Sequence, residues 1–411
     1  MEVFSDLLIL LVLARSFGVL VERIGLPASV GEIMAGVLIS LMALFYGDTF
    51  AFAAGLIDSD FIFYSAQIAI FFLALLAGIE MQPQEIAQGS RYSIIVAVGG
   101  IVLPLLGGFL LTWYFIPGSD NRLILSFLTG VVLSTTAVPA TTRVLHELGL
   151  MQTRMAKTVV GAALFDDVAG LFLLSILLTI IKTGTIPDLA TFAILSFKVA
   201  MFIGITIALG VHVYPRVSKG LNTLQATSLE FSALSLVGLA YGLFAEALGI
   251  HWILGAFMAG LFFEKARVGI RSYTEIKLIF TAITSGLLGP LFFSYIGMKF
   301  DPSALFNIPL FLGLLLAVAM IGKVAGCGIP ARLAGFPGRE ALSVGIGMSS
   351  RGAINFVVLS IAFGAGAFKM TTESTSVEQN LFSALVFMGI VTTMIVPPLL
   401  KWANKTKSTK V

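Results

Sequence analysis

The chain has 411 residues, of which 58% are hydrophobic and only 11% charged, with a formal net charge of +3. Soluble domains carry about 25% charged residues, so a soluble fold is excluded and the surplus apolar surface must face lipid. The small net charge gives no ground for nucleic-acid binding, and the single cysteine, Cys327, excludes an intrachain disulfide.

In chain order, the first six residues carry two acids, Glu2 and Asp6, and no basic run. The N-terminus therefore reads as a first span and not as a removable signal. Apolar runs of about 20 residues predict an all-α polytopic membrane protein of about 13 helices, at 3–21, 26–45, 61–79, 92–116, 123–147, 157–181, 190–214, 227–248, 251–264, 276–298, 304–331, 340–364 and 379–400. With the N-terminus outside and the C-terminus cytoplasmic, sixteen basic residues, from Arg23 to the four C-terminal lysines, fall inside. Four, Arg122, Lys182, Lys299 and Lys369, fall outside, a strong positive-inside bias that supports the odd count. The longest loops run over 46–60 and 365–378, and the basic tail 401–411 reads as a topology anchor.

Two predicted spans contain residues that interrupt a helix. The fifth holds Leu133-Ser134-Thr135-Thr136-Ala137-Val138-Pro139, and the twelfth holds Gly345-Ile346-Gly347-Met348-Ser349-Ser350-Arg351-Gly352. Proline removes a backbone donor, and hydroxyls can satisfy the freed groups. The two spans lie seven helices apart and so cross in opposite directions, the pattern of paired broken helices in an inverted repeat.

The sixth span carries Asp166 and Asp167 near its middle. A carboxylate there costs roughly 2.5–3.5 kcal/mol or more on insertion scales, and neighbours on a helix point about 100° apart, so the two acids are expected to do different work. Lys323 in the eleventh span lies at a similar depth. A direct Lys–Asp pair is expected, and such a pair can hold and release a proton. Arg351 in the twelfth span cannot lose its proton and reads as a structural or field-setting charge, with Glu32 and Glu80 as candidate partners. Arg143 sits where it can snorkel to the cytoplasmic surface, and Lys198 has no role assigned. The histidines His146, His212 and His251 stand near helix ends, no cluster has metal-ligand spacing, and no glycine-rich loop follows a strand. No cofactor is expected. Two aspartates at i and i+1 cannot converge on one water, which argues against an intramembrane aspartyl protease, and no enzyme activity is expected.

Taken in order, Leu26-Pro27 with Gly31-Glu32, Ala77-Gly78-Ile79-Glu80, Ser134-Thr135-Thr136 leading to Arg143 and Gly149, Asp166-Asp167, the run from Pro290 to Met298, Lys323 and Arg351-Gly352 form a pattern. Over nearly the whole chain this pattern resembles the second branch of the monovalent cation:proton antiporters, the Kef-like and NapA-like sodium/proton exchanger domain. The resemblance implies an inverted-repeat fold with two crossed broken helices. It implies Asp167 as the carboxylate that exchanges cation and proton, and Asp166 as its neighbour, pairing with Lys323. It implies Thr135 and Thr136 as the unwound stretch beside the ion. A core of 92–182 and 303–400 would move against a dimerisation domain of 1–85 and 222–300, with 190–215 as the linker helix. The implied partners are Na+ or another monovalent cation, H+, the bilayer of the cell membrane and a second copy of the chain. An Asp-Asp pair with a lysine is the pattern of electrogenic exchange of Na+ or Li+ for H+. Kef-type systems put glutamine at the first acid and add a nucleotide-binding domain, features without counterpart in this sequence. K+/H+ exchange is the alternative, followed by an organic-anion or bicarbonate transporter on the same fold, which would lack the acid pair. After Arg351-Gly352 the chain reads Ala353-Ile354-Asn355, where relatives often place a glutamate.

Overall fold

The computed structural model describes residues 2–46, 51–57, 59–81, 91–185, 187–213, 215–216, 227–369 and 374–404. Lys219 and the basic tail from Lys405 onward, which entered the topology reading, lie outside the described residues. Among the described residues there is no strand. The helices of ten residues or more, with one shorter one, are α1 (Glu2–Arg23), α2 (Ala28–Tyr46), α3 (Ala51–Ile57), α4 (Asp60–Glu80), α5 (Arg91–Phe115), α6 (Arg122–Ser134), α7 (Val138–Glu147), α8 (Arg154–Thr183) and α9 (Leu189–His212) in the first half. The second half contains α10 (Thr227–Ala247), α11 (Trp252–Leu261), α12 (Ile270–Ile283), α13 (Gly289–Met298), α14 (Pro309–Leu333), α15 (Gly338–Gly347), α16 (Ala353–Gly364) and α17 (Ser376–Asn404). A π-turn, Thr284–Leu288, joins α12 to α13.

Among the described residues, 10 helices are long and apolar enough to cross a membrane. The expected count of about thirteen helices is not established. The predicted spans 123–147 and 340–364 are interrupted, as their sequences predict, into α6 with α7 and α15 with α16, and 251–264 falls on the short α11. The interruptions have local causes. After α6 the backbone turns extended at Thr135 (φ −75°, ψ 153°) and Ala137 (φ −105°, ψ 112°), and Pro139 in the first turn of α7 suits a helix start but not a helix interior. Between α15 and α16 the chain is extended again at Gly352 (φ −147°, ψ −162°).

Packing follows the rule for helices in lipid, where small residues allow close approach. At the crossing of α2 and α13, a Cβ on Gly36 would stand 2.1 Å from Ser294 O, and one on Gly297 would stand 2.1 Å from Ile33 O. At the crossing of α4 and α11, Gly78 and Gly260 meet Phe257 O and Leu75 O equally closely, each at 2.1 Å. Elsewhere α5 packs along α6, α8 and α14, and α14 and α15 pack on α17. The helix bearing both acids, α8, is among the more enclosed spans, whereas α1, α9 and α10 present apolar side chains outward, among them Leu8, Leu20, Phe197, Leu239 and Leu243. Apolar faces of this kind suit lipid or another apolar surface.

Candidate ion-translocation site

Helix α8 starts on a capping threonine, Thr153, whose hydroxyl accepts from Ala156 N, and stops at Gly184 in the left-handed region (φ 71°). Midway along it Asp166 and Asp167 are both buried. Their surroundings differ as the 100° step between neighbours requires. Asp166 Oδ2 accepts from the Lys323 ammonium and, at 2.6 Å, from Thr136 Oγ1. Asp167 has no hydrogen bond among the described residues, and Asp166 Oδ1 and Asp167 Oδ1 are buried without a partner there.

Lys323 is fully buried on α14. Besides Asp166 it reaches Gly100 O on α5 at 2.9 Å and Ser134 O at the end of α6 at 2.5 Å. An ammonium carries three N–H donors and a neutral amine only two. Three oxygens around Nζ match the three donors of an ammonium, with Asp166 as one of the three.

The last four carbonyls of a helix have no partner within it, and its C-terminus carries partial negative charge. In α6 and the residue after it, all of these oxygens are met by side chains from the other half of the chain. Asn355 Nδ2 donates to Val132 O at 2.6 Å, Arg351 Nη2 to Leu133 O at 2.7 Å, Lys323 to Ser134 O, and Arg351 Nη1 to Thr135 O at 2.9 Å. The two interruptions also bond each other directly, through Ala137 N to Ser350 O at 2.7 Å and Thr141 Oγ1 to Gly347 O at 2.6 Å.

This geometry corrects the expectation for Arg351. Its partners are main-chain carbonyls, not Glu32 or Glu80. Glu32, buried on α2, pairs with Arg15 of α1 at 3.2 Å, and Arg15 also reaches Ser285 O in the π-turn. Glu80 is the exposed last residue of α4. The two threonines separate as well. Thr136 touches Asp166, but the hydroxyl of Thr135 donates to Val132 O at 3.1 Å and accepts from Asn355 at 3.0 Å. Arg143 pairs with Glu147 at 3.4 Å on the exposed end of α7, and Glu147 also meets Lys401 at 2.9 Å. Gly100 and Arg15 were not singled out from sequence, and Asn355 entered only in the stretch where relatives often place a glutamate, with no partner assigned. An amide or an arginine inside an apolar helix is a signal that could have found two of them, whereas nothing in the sequence marks a glycine carbonyl. Among the described residues, no group of three or more His, Cys, Asp or Glu residues could hold a metal ion.

Residues 7–402 match the family described as sodium/hydrogen exchanger, transmembrane. The chain belongs to this family. It is 28% identical over 401 residues to the Na(+)/H(+)-K(+) antiporter GerN of Bacillus cereus, covering 98% of this chain and 96% of that one. It is 26% identical over 405 residues to the Na(+)/H(+) antiporter of Enterococcus hirae, covering 98% of each. In fold it is similar to the sodium proton antiporter MjNhaP1 from Methanocaldococcus jannaschii at pH 8, with a TM-score of 0.72 at 16% identity over 98% of both chains. The exchanger fold and the membrane location are thus established together, and the acid pair stands in the middle of that fold. On the C-terminal side of the acids, a small apolar cavity lies where α8 and α16 meet α4 and α11, lined by Leu73, Leu171, Phe257, Ile354 and Val357 among others. Leu171 lies four residues beyond Asp167, about 6 Å along the helix.

Proposed function

We propose that this exchanger is a secondary active antiporter that trades Na+ or Li+ for H+ across the cell membrane by alternating access. One observation carries the reading: two buried carboxylates share a single lysine, so one acid, Asp167, is left without a partner. An uncompensated carboxylate inside a membrane is costly, and it is relieved either by a proton or by a monovalent cation. Asp167 accordingly binds the two in competition, with Asp166 beside it, and an occupied site is cheaper to move than an empty one. Carboxylate and hydroxyl oxygens make a hard site suited to small cations.

The moving part is the core, 92–182 and 303–400, which shifts against 1–85 and 222–300, with the span at 190–215 as the linker helix. The apolar lining between α8, α16, α4 and α11 supports this reading, because two dry surfaces can slide without stranding polar groups. The second group forms a homodimer, with its N-terminus outside and the C-terminus cytoplasmic as the positive-inside bias favours. A second reading, K+/H+ exchange, is favoured by the potassium in the name of the Bacillus cereus relative. The test is a pH-gradient assay in proteoliposomes, adding Na+, Li+, K+ and Rb+ in turn. Proton movement with Na+ and Li+ is expected. Robust movement with K+ and none with Na+ would replace the first reading by the second, and none with any of the four would remove both.

A further inference from the structure

Thr136 stands in the extended stretch between α6 and α7, and one hydroxyl there meets two acceptors on different helices. Its Oγ1 lies 2.6 Å from Asp166 Oδ2 and 3.1 Å from Met348 O at the end of α15. A hydroxyl has one proton and two lone pairs, so it serves only one of these acceptors at a time. Of the other ties between the interruptions, Ala137 to Ser350 and Thr141 to Gly347 involve no charged group, and Arg351 Nη1 to Thr135 O has a donor that cannot change direction, since a guanidinium has no lone pair to turn. Thr136 is thus the tie whose direction depends on what the acid pair holds.

We propose that Thr136 is a two-position hydrogen-bond switch that reports occupancy of the cation site to the second broken helix. In the empty site its proton goes to the ionised Asp166, the charge-assisted and stronger acceptor. When a monovalent cation sits on the carboxylates, the hydroxyl oxygen turns a lone pair to the cation. Its proton must then point away from the positive charge, and Met348 O is the acceptor within reach. No covalent bond changes. The O–H rotates, the stretch between α6 and α7 gains a bond to the end of α15, and a loaded site stiffens the crossing of the two interruptions before the core moves. This inference rests on the reading of Asp166 and Asp167 as the cation site.

The test reads the Met348 carbonyl itself. The protein is labelled with methionine carrying 13C at the carbonyl carbon, and infrared difference spectra are taken on adding NaCl in place of choline chloride. Met348→Leu assigns the band. In the wild type and in Thr136→Ser the Met348 band is expected to move to lower frequency with Na+, as a carbonyl does on accepting a hydrogen bond. In Thr136→Val it stays, and the apparent KM for Na+ rises about tenfold, with Thr136→Ser recovering most of the loss. A wild type that transports Na+ with an unmoved Met348 band overturns the switch, and so does a band that moves equally in Thr136→Val. If that variant does not fold, the wild-type band decides alone. A wild type that transports no cation at all overturns the antiport reading first, and the switch falls with it.

Discussion

Asp166 and Asp167 are neighbours in sequence and strangers in environment. Asp166 is held by a lysine and a hydroxyl, whereas Asp167 has no hydrogen bond among the described residues. Neutralising each should therefore differ in its effect on stability. Asp167→Asn removes the group on which cation and proton compete but breaks no ion pair. Cation-dependent proton movement should vanish while thermal unfolding in detergent stays close to wild type. Asp166→Asn leaves the Lys323 ammonium buried without its counter-charge, a loss on the order of 3–5 kcal/mol, so both transport and thermal stability should fall. Substantial exchange in Asp167→Asn would remove that residue from the mechanism. The acids and Lys323 were legible in the sequence because a charge inside an apolar span is conspicuous and expensive. Asn355 was not, since an uncharged amide finds its partner, Val132 O, 223 positions away. Matching charge to charge also misled for Arg351, because carbonyl acceptors belong to every residue and leave no trace in side-chain identity.

The interrupted helices were legible one level up. A hydropathy window of about 20 residues sums across a break, but Ser134, Thr135, Thr136 and Pro139 in one span and the run from Gly345 to Gly352 in the other marked the places where the chain is extended, at Thr135, Ala137 and Gly352. The long spans were legible because each is continuous. What holds the break open is the cap on α6, and Arg351 supplies two of its bonds, to Leu133 O and Thr135 O. A planar fork can serve two carbonyls in fixed directions, and a lysine ammonium is a point donor on a thinner stem. Arg351→Lys keeps the charge yet should leave at least one buried carbonyl unpaired, a cost of about 1–3 kcal/mol. The expected outcome is a lowered thermal midpoint together with weakened transport. Wild-type stability in Arg351→Lys would mean that the charge alone, and not the fork, organises the end of α6.

For the whole molecule the question is how many charges cross per cycle, and the seat of Lys323 bears on it. Its ammonium serves three oxygens. If it gives up one proton, two N–H donors remain for the two carbonyls, Gly100 O and Ser134 O, and the lone pair faces Asp166. No carbonyl is orphaned, so the lysine can release a proton without leaving its place. On the proposed mechanism a cation arriving at the acids discharges Lys323 as well as Asp167, and two protons move for one monovalent cation. Net charge then crosses the membrane, driven by about 2.3 kcal/mol per charge per 100 mV. Lys323→Gln keeps an amide with two donors for the carbonyls but carries no proton to release. It should retain part of the exchange, at one proton per cation, and lose its response to voltage. The comparison is made in proteoliposomes with Na+ as substrate, the potential being imposed by a K+ gradient and valinomycin. Wild-type rates should change with the sign of the potential and those of Lys323→Gln should not. A wild type indifferent to voltage would leave Lys323 a fixed strut that pairs with Asp166 and carries nothing.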